Sequence, residues 1–158
     1  ITEANTVILG AGGASNAIAA QLAPQVKRLT ILNRTVEKAK ALAKRVGSRY
    51  GSIMGDQKLV ASADIIVNTT PVGMHPHVGV SPLNKKHLHD GQFVFDIVYN
   101  PLTTQLMVDA EETGAETLGG LWMLVYQGVE AFKIWTGVTP DTQIMYDAAV
   151  AALRGDSE

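Results

Sequence analysis

The sequence predicts a doubly wound α/β fold on a mainly parallel six-stranded sheet, followed by a helical tail. Three observations predict it. Short runs rich in β-branched and aliphatic residues alternate with helical patterns along the first two thirds of the chain. The first of these runs breaks into a glycine-rich turn and resumes as an alanine-rich helix, and the last part of the chain holds two further helical patterns. Strands that alternate with helices require crossovers, and crossovers of one hand give parallel pairing.

In order, the elements are a strand "TVIL" (Thr6 to Leu9), a helix from Gly13, a strand "LTIL" (Leu29 to Leu32) and a helix from Val36 to Val46. A weak strand "GSIM" (Gly51 to Met54), a strong one "DIIVN" (Asp64 to Asn68) and another "FVFDIV" (Phe93 to Val98) follow. The helix "TTQLMVDAEETG" spans Thr103 to Gly114, and a short sixth strand is expected near Glu116 to Leu118. Two helices finish the chain, Leu121 to Trp135 and Asp141 to Leu153, with Gly137 capping one while Thr139 and Pro140 start the next. No internal repeat, low-complexity tract or linker marks a second unit, so residues 1–158 read as one domain with 121–153 as its tail.

At 158 residues, 46% of them hydrophobic, the chain has enough apolar surface for one filled core. A net charge of -2 gives no basic excess for nucleic acid. The absence of cysteine rules out a disulfide framework and any thiolate nucleophile or metal ligand, and it suits a reducing, cytoplasmic compartment. No apolar run approaches the length of a membrane span, and "ITEAN" does not read as a signal peptide. Because it starts without methionine, the chain is expected to be a processed or excised piece.

"GAGGAS" places Gly10, Gly12 and Ser15 in the pattern G-x-G-x-x-G/A, between a strand and a helix, where a Rossmann-type fold binds a dinucleotide. Gly10 permits the tight turn, Gly12 admits a pyrophosphate to the backbone, and a small Ser15 lets the helix pack close to the sheet. Free N–H groups at the helix start then attract the anion. Where an NAD site carries Asp or Glu, about 20 residues on, this chain has Asn33, Arg34 and Thr35. A carboxylate there would repel a 2'-phosphate, whereas a guanidinium offers it charge and a planar fork, so NADP(H) is favoured over NAD. Read without a cofactor, Arg34 and Lys38 are ordinary solvated charges.

With "GAGGAS", "NRTVEKA", "NTTPVGM", "DIVYNP" and "GLWMLVYQGVEAFKIWTG" in this order, nearly the whole chain resembles the C-terminal nucleotide-binding domain of the shikimate dehydrogenase family. Quinate-using relatives share much of that set. The resemblance implies NADPH-dependent reduction of 3-dehydroshikimate to shikimate, a step toward chorismate and the aromatic amino acids. It implies cofactor contacts from Gly10, Ala11, Gly12, Gly13, Ala14 and Ser15, from Asn33, Arg34, Thr35, Val36, Glu37 and Lys38, and from Ile97 and Gly120 near the nicotinamide. Tyr99 and Gln127 are the implied substrate contacts. The family's catalytic lysine and aspartate come from a separate N-terminal domain, which is expected to lie outside this chain, so no catalytic residue is assigned here.

The spacing agrees with these roles. Ile97 and Tyr99, two apart at the predicted end of a strand, share a face at the edge where open α/β sheets bind ligands. Gly120 and Gln127 lie about two helical turns apart, the glycine allowing close approach of a ring and the glutamine projecting an amide toward a hydroxyl-rich substrate. Thr70 and Pro71, in "NTTPVGM", follow the strong strand at the switch point and can line the cofactor cleft. Each also has a plainer reading: Tyr99 as a strand-end aromatic, Gln127 as a surface amide, Thr70 and Pro71 as loop. Two departures from the family pattern stand out. Asn16 replaces a basic residue common beside the pyrophosphate, and Trp122 replaces a frequent glycine, its bulk bearing on how the nicotinamide seats.

The pairs His75 and His77, and His87 and His89, are read as surface residues, with no metal expected. Asp96 is read as a strand-end carboxylate that binds backbone or a loop, in preference to a general base. Tyr126, Phe132 and Trp135 are read as helix packing, and apolar residues of the last helix are expected to drive self-association. The leading expectation is the isolated, inactive cofactor-binding part of a shikimate dehydrogenase. A quinate/shikimate-type dehydrogenase and a non-catalytic NADP(H)-binding module are the alternatives.

Overall fold

In the computed structural model, which describes residues 1–155, strands β1 (Asn5–Leu9), β2 (Arg28–Asn33), β3 (Arg49–Ser52), β4 (Ile65–Asn68), β5 (Phe93–Asp96) and β6 (Glu116–Gly119) form one sheet. Their order is β3-β2-β1-β4-β5-β6, and every neighbouring pair is parallel. The chain winds from β1 out to β3, returns beside β1 as β4, and winds the other way to β6. A crevice therefore opens at the C-terminal ends of β1 and β4, where the order reverses. The expected single unit runs to 158, and residues 156–158 lie outside the described residues.

Alternation along the strands builds two apolar layers. Ile8, Leu29 and Ile31 point toward α1 (Gly13–Leu22) and α2 (Val36–Val46), meeting Ala19, Ala39, Leu42 and Ala43. Val7, Leu9, Leu32, Ile66 and Val94 point the other way, onto Leu106 and Ala110 of α3 (Gln105–Glu111) and onto two 3₁₀ turns. Each fully buried aliphatic side chain of this kind contributes about 1.5–3 kcal/mol. Helix α2 follows its sequence closely: Glu37 lies in the first turn, Lys44 and Arg45 in the last, and Gly47 closes it at φ 71°. Those charges suit the helix dipole, and a left-handed cap is where glycine costs least.

Helices α4 (Leu121–Thr136) and α5 (Thr142–Gly155) form a hairpin beyond β6, packed through Leu121, Val125 and Val129 against Met145, Tyr146, Ala149 and Val150. Gly137 ends α4 in the left-handed conformation, as expected, at φ 73°. Asp141, the expected start of the last helix, caps α5 itself, its Oδ1 accepting the N–H groups of Gln143 and Ile144 at 2.8 and 3.1 Å, a role expected of Thr139 and Pro140.

Three further readings are corrected. The third strand occupies Arg49–Ser52, not Gly51 to Met54, because its register with β2 starts at Thr30 opposite Arg49 and stops at Asn33 opposite Ser52. The fifth strand ends at Asp96, not Val98. Its carboxylate accepts the Val98 N–H at 3.1 Å and turns the chain away from the sheet. Phe132 and Trp135 do not pack the helix, being 40% and 81% exposed, and Tyr126, 57% exposed, meets only the Trp122 ring one turn before it, centroids 5.7 Å apart. The packed stripe of α4 runs through positions 121, 125 and 129, and these aromatics lie off it.

An apolar groove of about 610 Å³ lies beside α1, lined by Ile1, Ile18, Leu22, Ile65, Val67, Phe93 and Phe95. Here β4 and β5 present side chains to a face that α1 only borders. Parallel sheets are ordinarily covered on both faces.

Candidate cofactor site

The glycine turn is fixed by backbone geometry and a short hydroxyl chain. Gly10 has φ +109°, and a Cβ there would lie 2.5 Å from Thr69 Oγ1, so both conformation and space require glycine. Thr69 Oγ1 donates to the Leu9 carbonyl at 2.6 Å. A hydroxyl has one proton, so at the 2.5 Å contact Ser15 Oγ must be the donor to Thr69 Oγ1. Ser15 Oγ in turn accepts the Gly12 N–H at 3.1 Å. Ser15, fully buried, thus does more than stay small: it ties the turn to the loop after β4. It also engages the Gly12 N–H within the turn.

The unspent donors are those that follow. Gly13 and Ala14 open α1, and their N–H groups have no acceptor among the described residues. Nothing lies within 4 Å of where a Cβ would sit on Gly12 or Gly13, which leaves backbone open to close approach. A helix start of this form is suited to a phosphate group.

A cleft of about 240 Å³ joins this turn to the end of β2, and Gly10, Ala11, Gly12, Asn33, Arg34, Thr35, Lys38, Thr70 and Pro71 line it with Thr69. Nine of these ten were legible as candidates. Thr69 was missed because its role depends on Leu9 and Ser15, far away in sequence. Asn33 Nδ2 donates to the Thr35 carbonyl at 2.9 Å and shapes the loop that presents Arg34. The ion pairs among the described residues are Lys27 with Glu3 and Lys85 with Glu112, so Arg34 and Lys38 are not neutralised by a carboxylate. A second cleft of about 360 Å³, lined by Ile53, Met54, Val72 and Pro82, shares Asn33, Arg34, Thr70 and Pro71 with the first. Its walls are mainly apolar, suited to a flat base beside a charged rim. These open glycines, unspent N–H groups and unpaired cations fit a phosphorylated dinucleotide.

The loops after β4 and β5 are locked by a buried polar group. Asp96, fully buried, accepts from Thr104 Oγ1 at 2.7 Å, Asn68 Nδ2 at 2.9 Å and the Val98 N–H. Asn68 Oδ1 then accepts from the N–H and the hydroxyl of Thr70, at 3.0 and 2.7 Å. Burial raises the Asp96 pKa above the ordinary carboxylate value, while the bonds from Thr104, Val98 and Asn68 pull it back. Its reading as a loop-binding carboxylate agrees with these partners. The neighbouring loops are also joined by the His75 N–H, which donates to the Asn100 carbonyl at 2.9 Å.

Farther along the same edge, Gly120 meets Ile97. A Cβ on Gly120 would lie 2.0 Å from the Ile97 carbonyl oxygen, and the Gly120 N–H donates to the Val98 carbonyl at 3.1 Å. The missing side chain makes room for protein backbone. Ile97 and Tyr99 lie past the end of β5 rather than on it, and Tyr99 and Gln127 are exposed, with no side-chain hydrogen bond among the described residues. Val36 and Glu37 stand in the first turn of α2, outside the cleft lining. Trp122 stacks on Tyr146 of α5, centroids 4.1 Å apart, so its bulk is directed to the helical hairpin. No cluster of three His, Asp or Glu side chains that could hold a metal occurs among the described residues, and none of their helices is long and apolar enough to cross a membrane.

Comparison with known proteins places this architecture. The family model for shikimate / quinate 5-dehydrogenase matches residues 1–103, and that for the shikimate 5'-dehydrogenase C-terminal domain matches residues 120–150. A shikimate dehydrogenase (NADP(+)) of Methanosarcina mazei is 42% identical, over 98% of this chain and 58% of its own length. A crystal structure of a shikimate dehydrogenase in complex with NADP+ superposes with a TM-score of 0.88 at 39% identity, covering 97% of this chain and 56% of that one. A quinate dehydrogenase from Corynebacterium glutamicum in complex with NAD gives 0.85 at 33% identity, covering 96% and 56%. The chain spans less than two thirds of the length of these relatives. Most of its residues fall within one family model, and it belongs to the shikimate / quinate 5-dehydrogenase family.

Proposed function

We propose that this chain is the NADP-binding part of a shikimate dehydrogenase, an enzyme that reduces 3-dehydroshikimate to shikimate with NADPH. The observation that carries the reading is the single cleft in which the glycine turn faces Arg34 and Lys38. In this reading Gly13 and Ala14 bind the pyrophosphate, with Gly10, Ala11, Gly12 and Ser15 shaping the turn. Arg34 and Lys38, with Asn33, Thr35 and the first-turn backbone of Val36 and Glu37, hold the 2'-phosphate. Thr70 and Pro71 form the opposite wall, and Ile97 with Gly120 borders the nicotinamide. Bound NADPH supplies the hydride.

Tyr99 and Gln127 extend toward the substrate from the same edge, where a hydroxyl and an amide can orient a polyhydroxylated ring. The proton that completes carbonyl reduction needs a donor at the reacting oxygen, which this reading assigns to the part of the enzyme beyond this chain. Residues 1–158 form the nucleotide-binding unit, and residues 121–153 pack toward that second part. The apolar groove at Phe93 and Phe95 and the outward aromatics of α4 are surfaces it would cover. In this chain alone those surfaces would drive self-association, in place of the last helix expected to do so, whose Met145, Tyr146, Ala149, Val150 and Leu153 pack against α4. A cytoplasmic location goes with the proposal, as a reducing compartment suits a chain without cysteine.

The test is shikimate oxidation with NADP+. This chain alone binds NADPH and turns over little, and adding a family N-terminal domain restores turnover that Gln127→Ala or Tyr99→Phe abolishes. Full turnover by the chain alone would contradict the division of labour. Absence of turnover in every combination would favour a non-catalytic NADP(H)-binding module. The likeness to a quinate dehydrogenase favours one further reading, a quinate/shikimate-type enzyme, and the same assay with quinate separates the two.

A further inference from the structure

The edge of the sheet opposite the cofactor cleft holds a cavity of about 110 Å³, under the N-terminal ends of β1, β2 and β3. Leu59 and Ala63, at the 3₁₀ turn Gln57–Ser62, help to close it. Along β2, Leu29 and Ile31 point toward α1 and α2, so Arg28 and Thr30, which alternate with them, face this cavity. Arg49 of β3 stands opposite Thr30 and shares its face. Arg28 and Arg49 are therefore diagonal neighbours of like charge, an arrangement that gains nothing by itself. Neither guanidinium has a hydrogen bond or an ion pair among the described residues, and no carboxylate lines the cavity. The Asp64 carboxylate is taken up by Asn5, which donates to it from its backbone N–H at 2.7 Å and from Nδ2 at 3.2 Å. Thr30 is only 6% exposed, yet its hydroxyl opens onto the cavity with no hydrogen-bond partner among the described residues. Buried polar groups are ordinarily paired, and a hydroxyl left beside two free arginines is accounted for as a donor to an anion.

We propose that Arg28, Arg49 and Thr30 form a second anion site, which takes a phosphate group, either free or at the end of a phosphomonoester. The two guanidinium forks supply charge and paired donors from neighbouring strands, and Thr30 supplies a further donor from the sheet. Ser62 is not a donor here, because its hydroxyl already donates to the Leu59 carbonyl at 3.0 Å. The cavity is well below the roughly 300 Å³ at which sites for drug-sized ligands begin, so it suits a single phosphate rather than a nucleotide. It lies at the other end of the strands that carry the cofactor cleft, and it does not rest on the NADP reading. A phosphate held there ties β2 to β3 and stabilises the folded chain by mass action.

The test is an amide NMR titration of this chain with inorganic phosphate, with methyl phosphate, and with sodium chloride at matched ionic strength. It is run on wild type, Arg28→Gln, Arg49→Gln, Thr30→Val and Thr30→Ser. In wild type the signals of Arg28, Thr30 and Arg49 are expected to move along a saturating curve with phosphate and to stay in place with chloride. Each arginine variant should weaken that binding about tenfold, the scale of one charge-assisted hydrogen bond, and Thr30→Val about fivefold. Thr30→Ser keeps the hydroxyl and should keep most of the affinity. Both arginines are exposed, so their variants should unfold at the wild-type temperature, and the Val and Ser variants provide a second comparison at constant charge. Phosphate that also enters the cofactor cleft moves Gly13 and Ala14 with a midpoint of its own, which these variants leave unchanged. Saturation by methyl phosphate as well assigns the site to phosphorylated compounds, and saturation by inorganic phosphate alone assigns it to the free ion. Shifts that do not saturate, that chloride reproduces, or that are confined to Gly13 and Ala14 would overturn the proposal, as would unchanged affinity in both arginine variants.

Discussion

Replacing Gly120 by alanine tests the contact that joins the loop after β5 to the start of α4. The added Cβ would meet the Ile97 carbonyl oxygen at 2.0 Å, its carbon at 2.3 Å and its Cα at 2.9 Å, against the 3.4 Å at which ordinary contact begins. All three are backbone atoms, so no rotamer change relieves the overlap. Either α4 or the loop of Ile97 must retreat by more than 1 Å, and the Gly120 N–H bond to Val98 goes with it. Overpacking of this kind costs about 1–3 kcal/mol or more, and loss of a backbone hydrogen bond adds about 1 kcal/mol. For a domain of this size about 3 kcal/mol lowers the unfolding temperature by roughly 6–12 °C. Thermal unfolding followed by circular dichroism reads this directly, and NADPH affinity should fall as well, since Ile97 borders the proposed nicotinamide seat. A variant with the wild-type unfolding temperature and affinity would refute the reasoning.

Three more outcomes are expected. Burial raises the Asp96 pKa, so the folded state holds its proton more tightly than the unfolded chain does. The stability that this carboxyl contributes is present below its ordinary pKa and is lost as pH rises through the folded value. In urea titrations the stability of Asp96→Asn should fall less than that of wild type across that window, the amide keeping the Val98 and Asn68 bonds; parallel curves would reject the assignment. Thr69→Val removes the acceptor for Ser15 and the donor to Leu9, and should destabilise the chain by about 1–3 kcal/mol in the same assay. Trp135→Ser together with Ile134→Ser, at positions 81% and 80% exposed, should reduce self-association in sedimentation while leaving the unfolding temperature within about 2 °C. An unchanged oligomer distribution would remove that face from the account.

Much of the fold is legible because its signals are local. The passage from "TVIL" through Gly10 and Gly12 to an alanine-rich helix is written in consecutive residues, as is the basic stretch at Arg34 and Lys38. What was not legible depends on partners distant in sequence. Asp96 ends β5 early because its carboxylate accepts from its own chain at Val98 and is held by Asn68 and Thr104. Gly120 is required by the Ile97 carbonyl, which spacing along a helix does not reveal. The partner of Asn16, Arg45, lies 29 residues later. The aromatics of α4 mislead for a related reason: hydrophobicity does not say which stripe of a helix meets a partner, and here that is 121, 125 and 129 against α5.

The central claim is that the cleft between the glycine turn and Arg34 selects NADPH. Calorimetric titration of NADPH and NADH into wild type and Arg34→Asp tests it most directly. Wild type is expected to bind NADPH more tightly, and Arg34→Asp to lose this preference by repelling the 2'-phosphate while NADH affinity is kept or improved. Equal affinities for the two cofactors in both proteins would contradict it.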